Sequence, residues 1–120
     1  MDAPKVEEYS CEIRDVFSGD DLVVFMDLGV DDLWKRKRVR LYGVDTPNAV
    51  NSSEDTEAGK VRKHVRMLAR GRRGIFSVVS KNLNSWVGTL VIESTSAQGG
   101  TINLNQLLIE QGYVFKRPSA

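Results

Sequence analysis

Apolar and polar positions alternate loosely from Tyr9 to Phe17, with Cys11, Ile13, Asp15 and Phe17 set against Glu12, Arg14 and Val16, which predicts a strand. Ser18-Gly19-Asp20-Asp21 reads as a turn, and the apolar run Leu22–Leu28 as a second strand. Gly29, Asp31 and Asp32 mark a loop, after which Trp34–Val44 reads as a third strand, with Gly43 as a bulge. Pro47 cannot donate to a sheet ladder and must leave it. Asn48–Ser53 is a polar loop. Ala58, Val61, Val65 and Leu68 then recur at three- and four-residue spacing, which predicts a helix from Ser52 or Ser53 to about Arg70. Glu54, Asp55 and Glu57 suit the positive end of its dipole, and Gly71 and Gly74 end it. Ile75–Ser80 and Trp86–Glu93 read as two more strands joined by a Lys81–Ser85 turn. A polar loop over Ser94–Gly100 precedes a second helix, Leu104 to Gln111, stopped by Gly112, and Tyr113–Lys116 reads as an extended tail.

Three strands, a helix, two strands and a helix define an α+β, mainly β chain. Five short strands with a helix between the third and fourth fit a five-stranded OB-type barrel with two helices. At 120 residues the chain makes one domain, residues 1–120, with a core over about 9–116. Its 41% hydrophobic and 28% charged residues exclude wholesale disorder. No apolar run is long enough to span a bilayer. The polar, acidic start does not resemble a signal peptide, so an intracellular, cytoplasmic protein without membrane attachment is expected. The single cysteine, Cys11, rules out an internal disulfide and reads as a small core residue. The single histidine, His64, rules out a two-histidine metal site and reads as a surface residue. Trp34 and Trp86 read as buried aromatic anchors rather than base-stacking platforms.

A net charge of +1 conceals clustering. Lys35, Arg36, Lys37, Arg38 and Arg40 fall in one segment, and seven more basic residues, including Arg70, Arg72 and Arg73, fall between Lys60 and Arg73. Ten of the 16 acids precede residue 33. Such clusters either solvate a face or meet a polyanion, whose counterions they release. On the second reading Lys35, Arg36, Lys37, Arg38, Arg70, Arg72 and Arg73 are candidate nucleic-acid contacts. Two acidic turns, Gly19-Asp20-Asp21 and Asp45-Thr46-Pro47, stand where antiparallel pairing of the second and third strands would bring them to one end of the sheet. Two carboxylates with a backbone carbonyl would offer hard oxygen ligands to calcium or magnesium. Simple turn chemistry explains the same residues.

Val16–Asp21 followed by Arg38-Val39-Arg40-Leu41-Tyr42-Gly43-Val44-Asp45-Thr46-Pro47 resembles the staphylococcal nuclease family. The similarity continues through Glu57-Ala58, Gly88–Ile92 and Asn103–Gly112, and spans about Glu12 to Val114; the family's third helix has no counterpart. The resemblance implies a barrel of that type. It implies Asp20 and Asp45 as metal carboxylates, Thr46 as a carbonyl ligand and water holder, and Arg40 as the arginine that grips the reacting phosphate. Ser18 stands where the family has a further aspartate, and Asp21, where it has threonine, adds charge beside the metal position. Any calcium or other divalent cation is therefore expected to bind weakly. Asn48 stands at the family's general-base glutamate, and an amide cannot accept a proton at neutral pH. The family's second arginine has no counterpart in Lys81–Gly88.

The expectation is a DNA- or RNA-binding domain with impaired or lost phosphodiesterase activity. One alternative is an active metal-dependent nuclease whose base has moved to Glu54, Asp55 or Glu57 and whose second cation is Arg36 or Arg38. The other is a protein-binding adaptor on the same fold.

Overall fold

The computed structural model describes residues 7–49, 53, 55–94 and 97–113. In chain order they form β1 (Glu8–Ser18), β2 (Asp21–Asp27), β3 (Trp34–Leu41), α1 (Glu57–Ala69), β4 (Arg73–Lys81), β5 (Trp86–Glu93), β6 (Thr101–Asn103) and α2 (Leu104–Glu110). β1 pairs antiparallel with both β2 and β4, β2 with β3, and β4 with β5. Parallel pairing of Val39, Arg40 and Leu41 with Trp86, Val87 and Gly88 closes the five strands into a barrel, and β6 adds to β5 outside the closure. The chain is thus an OB-like α+β barrel, as its pattern predicts, with one extra strand.

β1 reaches both neighbours because it bends. Its register against β2 slips between Ile13 and Asp15 and again between Val16 and Ser18, so Arg14 and Phe17 are extra residues. Each such bulge sharpens the local twist. The loose alternation of this strand has the same cause: Ile13 and Val16 both enter the core, whereas Phe17 is only half-buried. Leu22, Val24 and Met26 of β2, Val39 of β3, Phe76 of β4, and Leu90 and Ile92 of β5 complete the interior with no exposed surface. α1 contributes Val61, Val65 and Ala69 to this core, and α2 contributes Leu104 and Leu108. Cys11 is buried in the same cluster, as expected of a small core residue.

Gly88 permits the closure. A Cβ there would overlap Ser77 O and stand 2.7 Å from the Phe76 ring. The Asn105 side chain then stitches the closing strand to its surroundings. It accepts from Leu90 N (2.9 Å) and donates to Gly88 O (3.1 Å) and Tyr42 O (2.9 Å).

Several boundaries differ from the sequence reading. β3 ends at Leu41, not Val44, and Gly43 lies in the turn that follows, with φ +77°, rather than in a bulge. α1 starts at Glu57 because Thr56 caps it, its hydroxyl accepting from Gly59 N at 3.0 Å. Ser53 is outside the helix; Ser52 and Glu54 lie outside the described residues. β6 falls where helix was expected to follow directly on a loop. α2 starts at Leu104 as expected, capped by Asn103. Of the predicted extended tail, Val114–Lys116 lies outside the described residues. No helix among the described residues is long and apolar enough to cross a membrane.

Candidate functional site

The β1–β2 turn and the loop leaving β3 meet at one end of the barrel. Gly19 is pressed so closely that a Cβ would stand 2.7 Å from both Thr46 Cγ2 and Val61 Cγ1. Asp20, next in the turn, is only 5% exposed. Its amide donates to Thr46 Oγ1 at 3.1 Å, and the Thr46 hydroxyl donates back to Asp20 Oδ1 at 2.9 Å. Arg40 Nη2 donates to Oδ2 at 3.3 Å, and Leu41 N donates to the Asp20 carbonyl at 2.9 Å. Ser18 Oγ accepts from Ala49 N at 2.9 Å, so the hydroxyl at this position ties down the far end of the same loop.

Ser18, Asp20, Arg40 and Thr46, with Asp21, Arg38 and Asn48, line a polar cleft of about 250 Å³. Arg38 makes a two-pronged pair with Asp21, Nε to Oδ1 at 2.9 Å and Nη2 to Oδ2 at 2.6 Å. That pairing raises the guanidinium pKa above its ordinary value. The same guanidinium lies 4.9 Å from the centre of the Phe17 ring. Arg40 remains more than half exposed although it touches a buried carboxylate.

The cleft therefore gathers Asp20, Asp21, Arg40, Thr46 and Asn48. Asp45 is exposed and is not among the lining residues; its amide donates to Tyr113 O at 3.1 Å, at the exit of α2. The proposed relocated bases do not line the cleft either: Asp55 and Glu57 are exposed at the start of α1, and Glu54 is outside the described residues. Half-buried Val87 lies beside Arg40 in the parallel register, so an apolar residue occupies the nearest position on β5.

Asp20 and Asp21 are the carboxylates of the cleft that could face a divalent cation, and in this structure each is paired with a guanidinium. Asp20 Oδ1 also accepts from Thr46. Among the described residues there is no group of three or more His, Cys, Asp or Glu side chains suited to a metal ion. Two arginines against two aspartates leave the cleft formally neutral.

The basic clusters divide. Lys37 and Lys81 place their ammonium groups 4.3 and 4.5 Å from the centre of the Trp86 ring, which also packs on Tyr9. Lys35 is exposed on β3. Within α1, Arg66 bonds Asp15 Oδ1 (2.9 Å) and Val16 O (3.0 Å), and Arg62 bonds Ala49 O (2.9 Å). These two arginines pin β1 and the site loop rather than facing a ligand. Arg70 is exposed, Arg72 donates to Glu93 O at 3.1 Å, and Arg73 borders a larger cavity of about 450 Å³ shared with Trp34. Trp86 is a partly buried anchor, but Trp34 is 45% exposed, contrary to the expectation of burial. His64 is exposed, its Nε2 lying 3.0 Å from Gln111 Oε1. The sequence reading missed Arg14, whose guanidinium stacks 4.6 Å over Phe25. Its signal is weak: Phe25 alternates out of phase with the buried Leu22, Val24 and Met26.

No family model matches the chain, and comparison with curated proteins finds no match.

Proposed function

We propose that this protein binds nucleic acid through backbone phosphate at the Asp20–Arg40 cleft and has weak or no phosphodiesterase activity. The observation that carries this reading is the convergence of two exposed guanidiniums, Arg38 in a two-pronged pair with Asp21 and Arg40 beside Asp20, on a polar cleft that Asn48 also lines. A guanidinium matches the oxygens of a phosphodiester, and here each is oriented by a carboxylate behind it. Asn48 can donate to a phosphate oxygen or a water but cannot take the proton that an attacking water must lose. The Asp20 carboxylate is buried and accepts from Thr46 and Arg40, which disfavours it as a substitute base. The likeness to staphylococcal nuclease in Arg38–Pro47 supports phosphate recognition, and the departures at Asn48 and in Lys81–Gly88 support the loss of chemistry.

The test measures binding of short oligonucleotides across a salt series, together with their cleavage in calcium, magnesium and chelator. Binding should weaken with salt, and Arg40→Gln should lower the log–log slope by about 0.7. Wild type should cleave negligibly. Asn48→Glu should raise cleavage toward the lower end of the ~10²–10⁴-fold range of general-base catalysis, because the second cation is still absent. Failure to bind any oligonucleotide at low salt refutes the binding reading. Robust wild-type cleavage abolished by Arg40→Gln refutes the loss of activity.

A further inference from the structure

β3 carries a stripe that continues out of the cleft. Val39 and Leu41 point into the core, so Trp34, Arg36, Arg38 and Arg40 occupy the alternate, outward positions, and all four are exposed. Successive members of such a stripe stand about 6.8 Å apart. That is close to the spacing of successive phosphates in an extended single strand. From Arg40 to Trp34 the stripe covers about 20 Å.

The members differ in a useful way. Arg40 lies in the cleft. Arg38, shared between the cleft and the next groove, is held in plane by Asp21 with one face against Phe17. The groove beyond it, about 330 Å³, is lined by Phe17, Val23, Arg36 and Arg38. Arg36 lies opposite Phe25 in the β2–β3 register, and no hydrogen bond or ion pair engages its side chain among the described residues. Trp34 ends the row with 45% of its surface exposed. On the opposite face of β3 Lys35 is exposed and Lys37 lies over the Trp86 ring.

We infer that a single-stranded nucleic acid lies along β3, with successive phosphates on Arg40, Arg38 and Arg36 and a base stacked on Trp34. This rests on the reading of the cleft as a phosphate site and extends it by naming the ligand as single-stranded and its path as β3. Flat aromatic and guanidinium surfaces favour an unpaired base, because the bases of a duplex are already stacked on one another. An acidic peptide would satisfy the arginines but supply no planar group for Trp34.

The experiment titrates oligothymidylates of two, four and six nucleotides, a duplex of equal charge and a glutamate peptide into wild type, Arg36→Gln, Trp34→Phe, Trp34→Ala and Arg40→Gln. Circular dichroism verifies that each variant is folded. Affinity should rise steeply from two to four nucleotides and then level off. The tetramer should quench tryptophan emission in wild type but not in Trp34→Phe. Arg36→Gln should reduce the tetramer's salt slope by about 0.7, and Trp34→Ala should weaken the tetramer on the order of tenfold; both should leave the dinucleotide unchanged. Binding that depends on Arg40 but not on length, Arg36 or Trp34 overturns the track and leaves the cleft reading intact. Loss of the Arg40 dependence itself overturns the cleft reading and the track with it. Equal or tighter binding of the duplex or the peptide through Arg36 overturns the assignment to single strands.

Discussion

Replacing Thr46 by valine removes one hydroxyl and almost no volume, and so isolates the clasp between the two site loops. That hydroxyl accepts from the Asp20 amide and donates to the Asp20 carboxylate, across 26 residues of chain. A hydrogen bond to a charged group contributes about 1.5–3 kcal/mol, and a buried amide left without a partner costs about 1–3 kcal/mol. Thr46 is buried, so water replaces these contacts poorly, although the adjoining cleft admits some. The net cost of Thr46→Val should therefore be about 3 kcal/mol. For a chain of 120 residues this lowers the melting temperature by about 12 °C, given an unfolding entropy near 2.1 cal/mol/K per residue. Thr46→Ser keeps the hydroxyl and should cost about 1 kcal/mol. Urea and thermal unfolding by circular dichroism measure both. A double-mutant cycle with Asp20→Ala isolates the carboxylate's share, with a coupling energy of about 2 kcal/mol. A Thr46→Val protein within about 0.5 kcal/mol of wild type would refute the clasp, as would equal costs with and without the Asp20 carboxylate.

Gly88→Ala should destabilise by about 3 kcal/mol or prevent folding, because the new methyl meets Ser77 O and the Phe76 ring at the barrel closure; chemical denaturation measures it. Burial pushes the Cys11 thiol up to about 12, from an ordinary 9.0. Above pH 9 the unfolded chain loses this proton while the folded one keeps it, so stability should fall with rising pH between 9 and 12. The limiting slope is about 1.4 kcal/mol per pH unit, and Cys11→Val should remove it from the pH dependence of urea unfolding.

The parts of the fold that were legible are those with a period. Leu22, Val24 and Met26 mark β2, and Trp86–Glu93 coincides with β5. β6 has three residues and one apolar side chain, Ile102, too little to show alternation. The start of α1 was ambiguous because Ser52, Ser53 and Thr56 are all capping residues, and it is Thr56 that accepts from Gly59 N. At the site, Asp20, Thr46 and Arg40 could be grouped from two turns flanking paired strands. Asp45 lies outside the lining of that cleft, and Gly43, at positive φ, turns the chain before Asp45 instead of kinking a continuing strand. The basic runs divide in a way that their sequence does not show. Strand alternation sends Arg36 and Lys37 to opposite faces, and the partners of Arg62 and Arg66 lie 13 and 51 residues away, where no local pattern points to them.

The pairing of each cleft arginine with an aspartate bears on kinetics as well as affinity. On the proposed phosphate reading, an incoming phosphate would find no idle cation in the cleft; it would exchange with, or share with, an anion that the protein carries there. The resident carboxylate stays tethered beside the guanidinium, at an effective concentration that no free ligand matches. When the phosphate loosens, Asp21 or Asp20 can re-form its bond at once, so the internal competitor shortens residence time even where encounter is fast. On that reading, contacts at a single phosphate would turn over quickly, and sustained occupancy would require several positions engaged at the same time.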